Sequence, residues 1–201
     1  GGQTLLAAAQ KMPTGSMDLE GVQFEIQAPT DSVLDVGKLL ADGGAVGVFA
    51  GTLRHSGDIR ANALTRDEAG RVVLKAQGDV TLANASTITA TGAKGGDIAV
   101  LGDRVSVSGS TTLDASGSKA GGLIRVGGDY QGANAAIPNA SRTFVGPNAT
   151  LRADATDSGD GGRIIVWADK TTQYFGNLSV RGGARGGNGG FAEVSGKEHL
   201  V

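Results

Sequence analysis

Small-residue pairs ending in glycine recur along this chain at a near-fixed interval, and that interval limits the possible folds more than any other feature. The second residues of Gly43-Gly44, Ala69-Gly70, Gly95-Gly96 and Gly121-Gly122 stand at 44, 70, 96 and 122, a constant step of 26. Gly161-Gly162 and Gly189-Gly190 follow after steps of 40 and 28. Two and four residues past each glycine sit Val46/Val48, Val72/Leu74, Ile98/Val100, Ile124/Val126, Ile164/Val166 and Ala192/Val194. Apolar residues at i and i+2 mark a half-buried strand. Six residues past the glycine comes a small residue every time (Ala50, Ala76, Gly102, Gly128, Ala168, Gly196), as a tight corner requires. A period between about 20 and 50 residues, each unit carrying alternating apolar residues, signals a stacked repeat whose units contact only their neighbours.

Each unit holds more than one strand. After Ile98 and Val100 come Val105/Val107 and then Leu113/Ala115; the preceding unit repeats this as Val72/Leu74, Val80/Leu82 and Ile88/Ala90. Three short strands with turns fill a unit of this size at ordinary strand and loop lengths. Such a unit cannot close its own core, so the reading is all-β: a parallel β-helix with about three short strands per coil, coils about 4.8 Å apart. A β-propeller is the rival, but its blades have four strands and a period of about 40. Composition fits the solenoid, because 35 glycines and only 4% aromatics leave a thin aliphatic interior. The stretch nearest to helical spacing, Ser32 to Leu39, is short enough to be another coil segment.

Continuous periodicity argues for a single segment over 1–201. The 40-residue step predicts an extra-helical loop near 131–142, around Pro138, followed by a strand region between Thr143 and Ala153. A second break, containing Pro13 and Pro29, predicts an irregular coil region near 10–42. With 18 basic and 20 acidic residues the chain lacks the electrostatic footprint of a nucleic-acid binder. Its longest apolar runs fall far short of the roughly 20 residues that cross a bilayer. Cysteine is absent, which suits a rod held by hydrogen-bond ladders and a stacked core. No signal peptide is recognisable, so the expectation is an internal fragment or a mature region.

The stretch GGLIRVGGDYQGANAAIPNASRTFVGPNATLRADATDSGDGGRIIVWAD, with GGFAEVSGKEHL further on, resembles the filamentous-haemagglutinin-like exoproteins of Gram-negative bacteria, the adhesins exported by two-partner secretion. GGDYQG, GRIIVWAD and GGFAEVSG are its most specific parts, and the likeness runs from Gly1 to Leu200. The resemblance implies a right-handed parallel β-helix, a secreted or cell-surface location, and a role in attachment or biofilm formation. It also implies that the chain is a slice of a longer virulence-type polypeptide. The family's secretion domain is not recognised here, so contact with the outer-membrane secretion partner is expected through regions outside this chain.

Several residues invite a site. Asp103, Asp129 and Asp169 lie seven residues past their glycines and would stack as a carboxylate ladder. Calcium requires several such oxygens, whereas Gly-Asp and Ala-Asp also simply make good turns. Asp154, Asp157 and Asp160 could serve the acid–base chemistry of a polysaccharide-degrading β-helix, or could be turn residues in ADATDSGDGG. Neither His55 nor His199 completes a catalytic pattern. Trp167 is out of phase with Ile164 and Val166, so its ring points outward; it stacks on a ligand or lies beneath the 131–141 loop. Tyr130, in GGDYQG, is a second candidate ligand contact, and Tyr174 and Phe175 carry the same ambiguity as Trp167. Asn84, Asn139, Asn148 and Asn177 open glycosylation sequons, which an Asn-, Ser- and Thr-rich chain also produces by chance. Thr87, Thr89 and Thr91 resemble an ice-binding row, but the next unit places Thr112, Asp114 and Ser116 there.

The sequence thus predicts a structural and adhesive segment without catalysis, metal or cofactor. Its partner would be a carbohydrate or protein receptor at a cell surface or in a biofilm matrix, with no nucleic acid and no membrane insertion. A polysaccharide-degrading enzyme and a spacer without ligand are the alternatives. Both ends of the chain stop inside a repeat, which predicts open coil edges and end-to-end association.

Overall fold

In the computed structural model, which describes residues 22–29, 32–42, 44–63 and 69–201, the chain winds as a parallel β-solenoid of about six turns. Each turn lays one strand on each of three faces. The first face carries Val22–Gln27, Ala45–Ala50, Arg71–Ala76, Asp97–Leu101, Leu123–Val126, Arg163–Ala168 and Phe191–Gly196. The second carries Val33–Val36, Thr52–His55, Asp79–Leu82, Arg104–Val107, Arg142–Val145, Thr171–Tyr174 and His199–Leu200. The third carries Leu39–Leu40, Asp58–Arg60, Thr87–Thr89, Thr112–Asp114, Thr150–Arg152 and Asn177–Ser179. A small outer pair, Gly92–Lys94 with Gly117–Ala120, extends one corner. Among the described residues the one helical element is the 3-10 turn Tyr130–Gly132.

The alternation read from the sequence sets the register. Val46, Val72, Ile98, Ile124, Ile164 and Ala192 stack in one column of the first face. Leu53, Val80, Val105, Thr143 and Thr172 do the same on the second face, and Ile59, Ile88, Leu113, Leu151 and Leu178 on the third. Most of these side chains are fully buried, and each large aliphatic one contributes about 1.5–3 kcal/mol relative to exposure. Thr143 and Thr172 carry hydroxyls into this core. Each donates to the carbonyl of a first-face residue, Trp167 and Ser195, at 2.7 Å, so neither polar group is stranded.

The glycine ruler has a steric cause. A Cβ on Gly96 would overlap the carbonyl oxygen of Gly70, one on Gly122 that of Gly96, and one on Gly162 that of Gly122. The coils therefore approach so closely at this corner that a side chain cannot be inserted.

Two intervals were expected to depart from the ruler. Of 10–42, residues 10–21, 30 and 31 lie outside the described residues. The remainder forms Val22–Gln27, Val33–Val36 and Leu39–Leu40, each paired with the following coil. The long step holds an insertion that leaves the solenoid at Gly127 (φ +79°) and rejoins it where the Ala140 amide donates to the Gly127 carbonyl at 2.5 Å. The strands Arg142–Val145 and Thr150–Arg152 follow.

Candidate functional site

The insertion is built around Trp167. Alternation on Arg163–Ala168 turns the indole away from the core, yet it is only 7% exposed, because the insertion lies on it. A Cβ at Gly132 would stand 2.6 Å from ring atoms Cε2 and Nε1, so glycine there lets backbone rest on the ring. The indole Nε1 donates to Asp169 Oδ1 at 3.0 Å. Asn139 Nδ2 donates to the same oxygen at 3.1 Å and to the Gly132 carbonyl at 3.0 Å. Of the two outcomes open for Trp167, ligand contact or cover by the loop, the structure has the second: the chain's own insertion lies on the ring, which leaves it too little exposed for the ligand contact. Tyr130 remains 41% exposed, meeting the Phe191 ring edge-on at 5.6 Å. The Arg163 guanidinium lies 5.6 Å and 5.3 Å from the two ring centroids.

The carboxylate ladder does not form. Asp129 departs with the insertion, and the amide of Ser141 instead bonds the Asp103 carbonyl at 2.7 Å. The Asp169 amide bonds the carbonyl of Ala140, one residue out of step. Asp129 caps the 3-10 turn, accepting from the Tyr130 amide at 2.8 Å and Asn134 Nδ2 at 2.7 Å. Burial opposes its ionisation, but those bonds and the Arg125 and Arg163 charges outweigh it and hold the carboxyl below its usual range. No group of three or more His, Cys, Asp or Glu among the described residues is arranged to hold a metal ion.

The acids of ADATDSGDGG are consumed one by one by the next coil. Asp154, buried, accepts from Ser179 Oγ at 2.6 Å, the Arg181 amide at 2.7 Å and the Arg181 guanidinium at 3.1 and 3.3 Å. Desolvation raises its pKa, and these donors overcome that to lower it overall. Asp157 pairs with Arg185, and Asp160 Oδ1 accepts from the Asn188 amide at 2.7 Å. The three carboxylates fasten the glycine-rich loop 181–190 instead of converging on a cleft.

His55 lies inside the solenoid with Nδ1 2.9 Å from the Val36 carbonyl and Nε2 without a hydrogen-bond partner among the described residues; burial holds its pKa below the ordinary value. Tyr174 also points inward and is pushed up to about 12 by burial, while Phe175 is half exposed. Among the sequons, Asn84, Asn148 and Asn177 are exposed, whereas the Asn139 amide nitrogen is engaged as above. The Thr87 row continues through Thr112 and Thr150, but its companion runs Thr89, Asp114, Arg152, which breaks a threonine array.

A surface that the sequence did not disclose lies on the outside of the second face. Asp79, Arg104, Arg142 and Thr171 form one column and Thr81, Ser106, Phe144 and Gln173 the next, lining an open groove of about 500 Å³. Arg104 is held by Asp79 through two bonds of 2.7 and 2.8 Å. Arg142 has no ion-pair partner among the described residues. Phe144 lies 6.1 Å from Phe175, so the groove ends on aromatic surface. The signal was present only as a column, one residue per coil.

No family model matches the chain, and no curated protein matches it. Among solved structures, the crystal structure of the HMW1 secretion domain from Haemophilus influenzae superposes with a TM-score of 0.74 and 29% identity. The likeness is to a secretion domain. It covers 87% of this chain and 47% of that one, so this chain spans about half the length of the structure it matches. No helix among the described residues is long and apolar enough to cross a membrane.

Proposed function

We propose that this chain is a structural and adhesive segment of a secreted or cell-surface protein of a Gram-negative bacterium, exported by two-partner secretion. The observation that carries this is the likeness of the solenoid, over 87% of its length, to a domain named for secretion. The sequence placed contact with the outer-membrane partner outside these residues. The comparison favours a solenoid that itself takes part in export. Attachment would use the outside of the second face, where Arg142 is free to pair and Phe144 and Phe175 offer rings, with Tyr130 on the insertion as a second contact. A carbohydrate or protein receptor fits that mixture of cation, hydroxyls and aromatic surface. The reading is non-catalytic and needs no cofactor, since Asp154, Asp157 and Asp160 are engaged by the next coil. Glycosylation at Asn84, Asn148 or Asn177 is compatible with their exposure.

Expression of the chain behind a signal sequence in a Gram-negative host, with and without a two-partner transporter, tests export. Transporter-dependent appearance in the medium is the expected result, and equal periplasmic retention in both hosts would refute it. A glycan array run on the purified chain, alongside an assay for acidic-glycan turnover, separates adhesin, spacer and enzyme: binding without turnover, neither, or turnover.

A further inference from the structure

The outside of the first face differs from the other two. Its outward residues include Val73, Ala99, Leu101, Ile165 and Trp167, which are apolar and nearly or wholly buried, with Arg125 between Ala99 and Ile165. Ile137, at the tip of the insertion, joins Val73, Ala99 and Leu101 in a second apolar cluster, with Phe49 packed against it. The other end of the insertion reaches the opposite way. Tyr130 packs on Phe191, and the Gln131 amide donates to Glu193 Oε2 at 3.0 Å. Between these ends Gly132 and Asn139 close over Trp167. One segment therefore grips the strands Arg71–Ala76 and Asp97–Leu101 at one end and Phe191–Gly196 at the other. The nearer of these is three rungs from the last, about 14 Å along the stack.

In a solenoid each coil ordinarily feels only its neighbours, so fraying at one end should die out within a rung or two. We infer that the insertion 128–139 is a strap that couples non-neighbouring coils, so that loosening its hold on the last rung loosens rungs 71–76 and 97–101, which the last rung does not touch. The grip at Ile137 and the grip at Tyr130 share one short, closely hydrogen-bonded piece of chain. The Asn139–Asp169–Trp167 network ties its middle to the rung Arg163–Ala168. Release at one end thus costs the other its alignment.

The test reads the remote end. In the full chain, Phe191→Ala removes the ring beneath Tyr130, and Glu193→Gln weakens the Gln131 bond while keeping the side chain's size. Hydrogen exchange followed by mass spectrometry should show the amides of 71–76 and 97–101 exchanging at least about threefold faster in both variants. The single tryptophan, Trp167, should become more readily quenched by acrylamide. Unchanged circular dichroism confirms that the solenoid persists, and Glu193→Gln keeps the question answerable if Phe191→Ala does not fold. Faster exchange confined to 191–196, with the interior rungs at wild-type rates, would overturn the coupling. Wild-type quenching of Trp167 in both variants would overturn it too.

Discussion

At the scale of single residues, the chain shows which positions obey steric rules and which store a cost. Gly122 sits between the carbonyls of Gly96 and Gly95 on one side and Ala115 on another, with no room for a methyl group. Gly122→Ala is therefore expected to cost about 1–3 kcal/mol, as overpacking does, lowering the urea midpoint accordingly. His55 stores a cost of another kind. Its pKa is held below 6.5 by burial, against the bonds that favour its charged form. As pH falls through 6.5 the unfolded chain takes up a proton that the folded chain refuses. Stability is flat above that pH and declines below it, by up to about 1.4 kcal/mol per unit until the folded group also titrates. Urea titrations between pH 8 and 5.5 should show this decline in the native chain and lose it in His55→Leu. A decline of equal slope in the variant would assign the effect elsewhere.

At the scale of strands and loops, what was legible follows from which physical rule each element obeys. The columns of Val, Ile and Leu were readable because one face of each strand is buried, and period-2 alternation names that face without reference to anything distant. The same rule gave the direction of Trp167 but not its fate. Alternation says where a side chain points; that Gly132 and Asn139 lie beyond it depends on how the insertion folds back. The aspartate ladder failed for a related reason. Counting seven residues from each glycine took Asp129 to be still on the solenoid, whereas the chain leaves at Gly127 and Ser141 takes that place beside Asp103. The second-face groove was hidden because Asp79, Arg104, Arg142 and Thr171 are spaced 25, 38 and 29 residues apart, and only the stack brings them together. The loop 181–190 yields a prediction at this scale. Asp154 holds it through Ser179 and Arg181, so Asp154→Ala should cost about 1.5–3 kcal/mol, the range for hydrogen bonds to a charged group. Limited proteolysis should then cut within 181–190 sooner than in the wild type. Cleavage at an unchanged rate would show that backbone bonds such as Gly161 N–H to the Asn188 carbonyl hold the loop alone.

At the scale of the whole molecule, the rung formed by Phe191–Gly196 and His199–Leu200 ends its sheets, and the chemistry of that edge decides how the 201-residue chain behaves in solution. Among the described residues the strand Phe191–Gly196 is paired on one side only, by Arg163–Ala168, and His199–Leu200 only by Thr171–Tyr174. Beside those open backbone groups Phe191, Leu200 and Val201 are 42%, 55% and 60% exposed, and Leu178, Val180 and Val194 are only partly covered. An edge with free N–H and C=O groups and apolar side chains is a template for another strand, and natural edges are usually blunted with charge, proline or a cap. A second copy of this chain supplies such a strand, so the 201-residue chain is expected to associate through this rung in a concentration-dependent way. Leu200→Lys places a charge on that edge at a residue already more than half exposed, so it should suppress association while leaving the interior columns intact. Light scattering over a concentration series reads both chains directly. Growth of the mean mass in the wild type and a constant mass in the variant is the expected pair, whereas a monodisperse wild-type monomer at high concentration would show that the edge is already blunted.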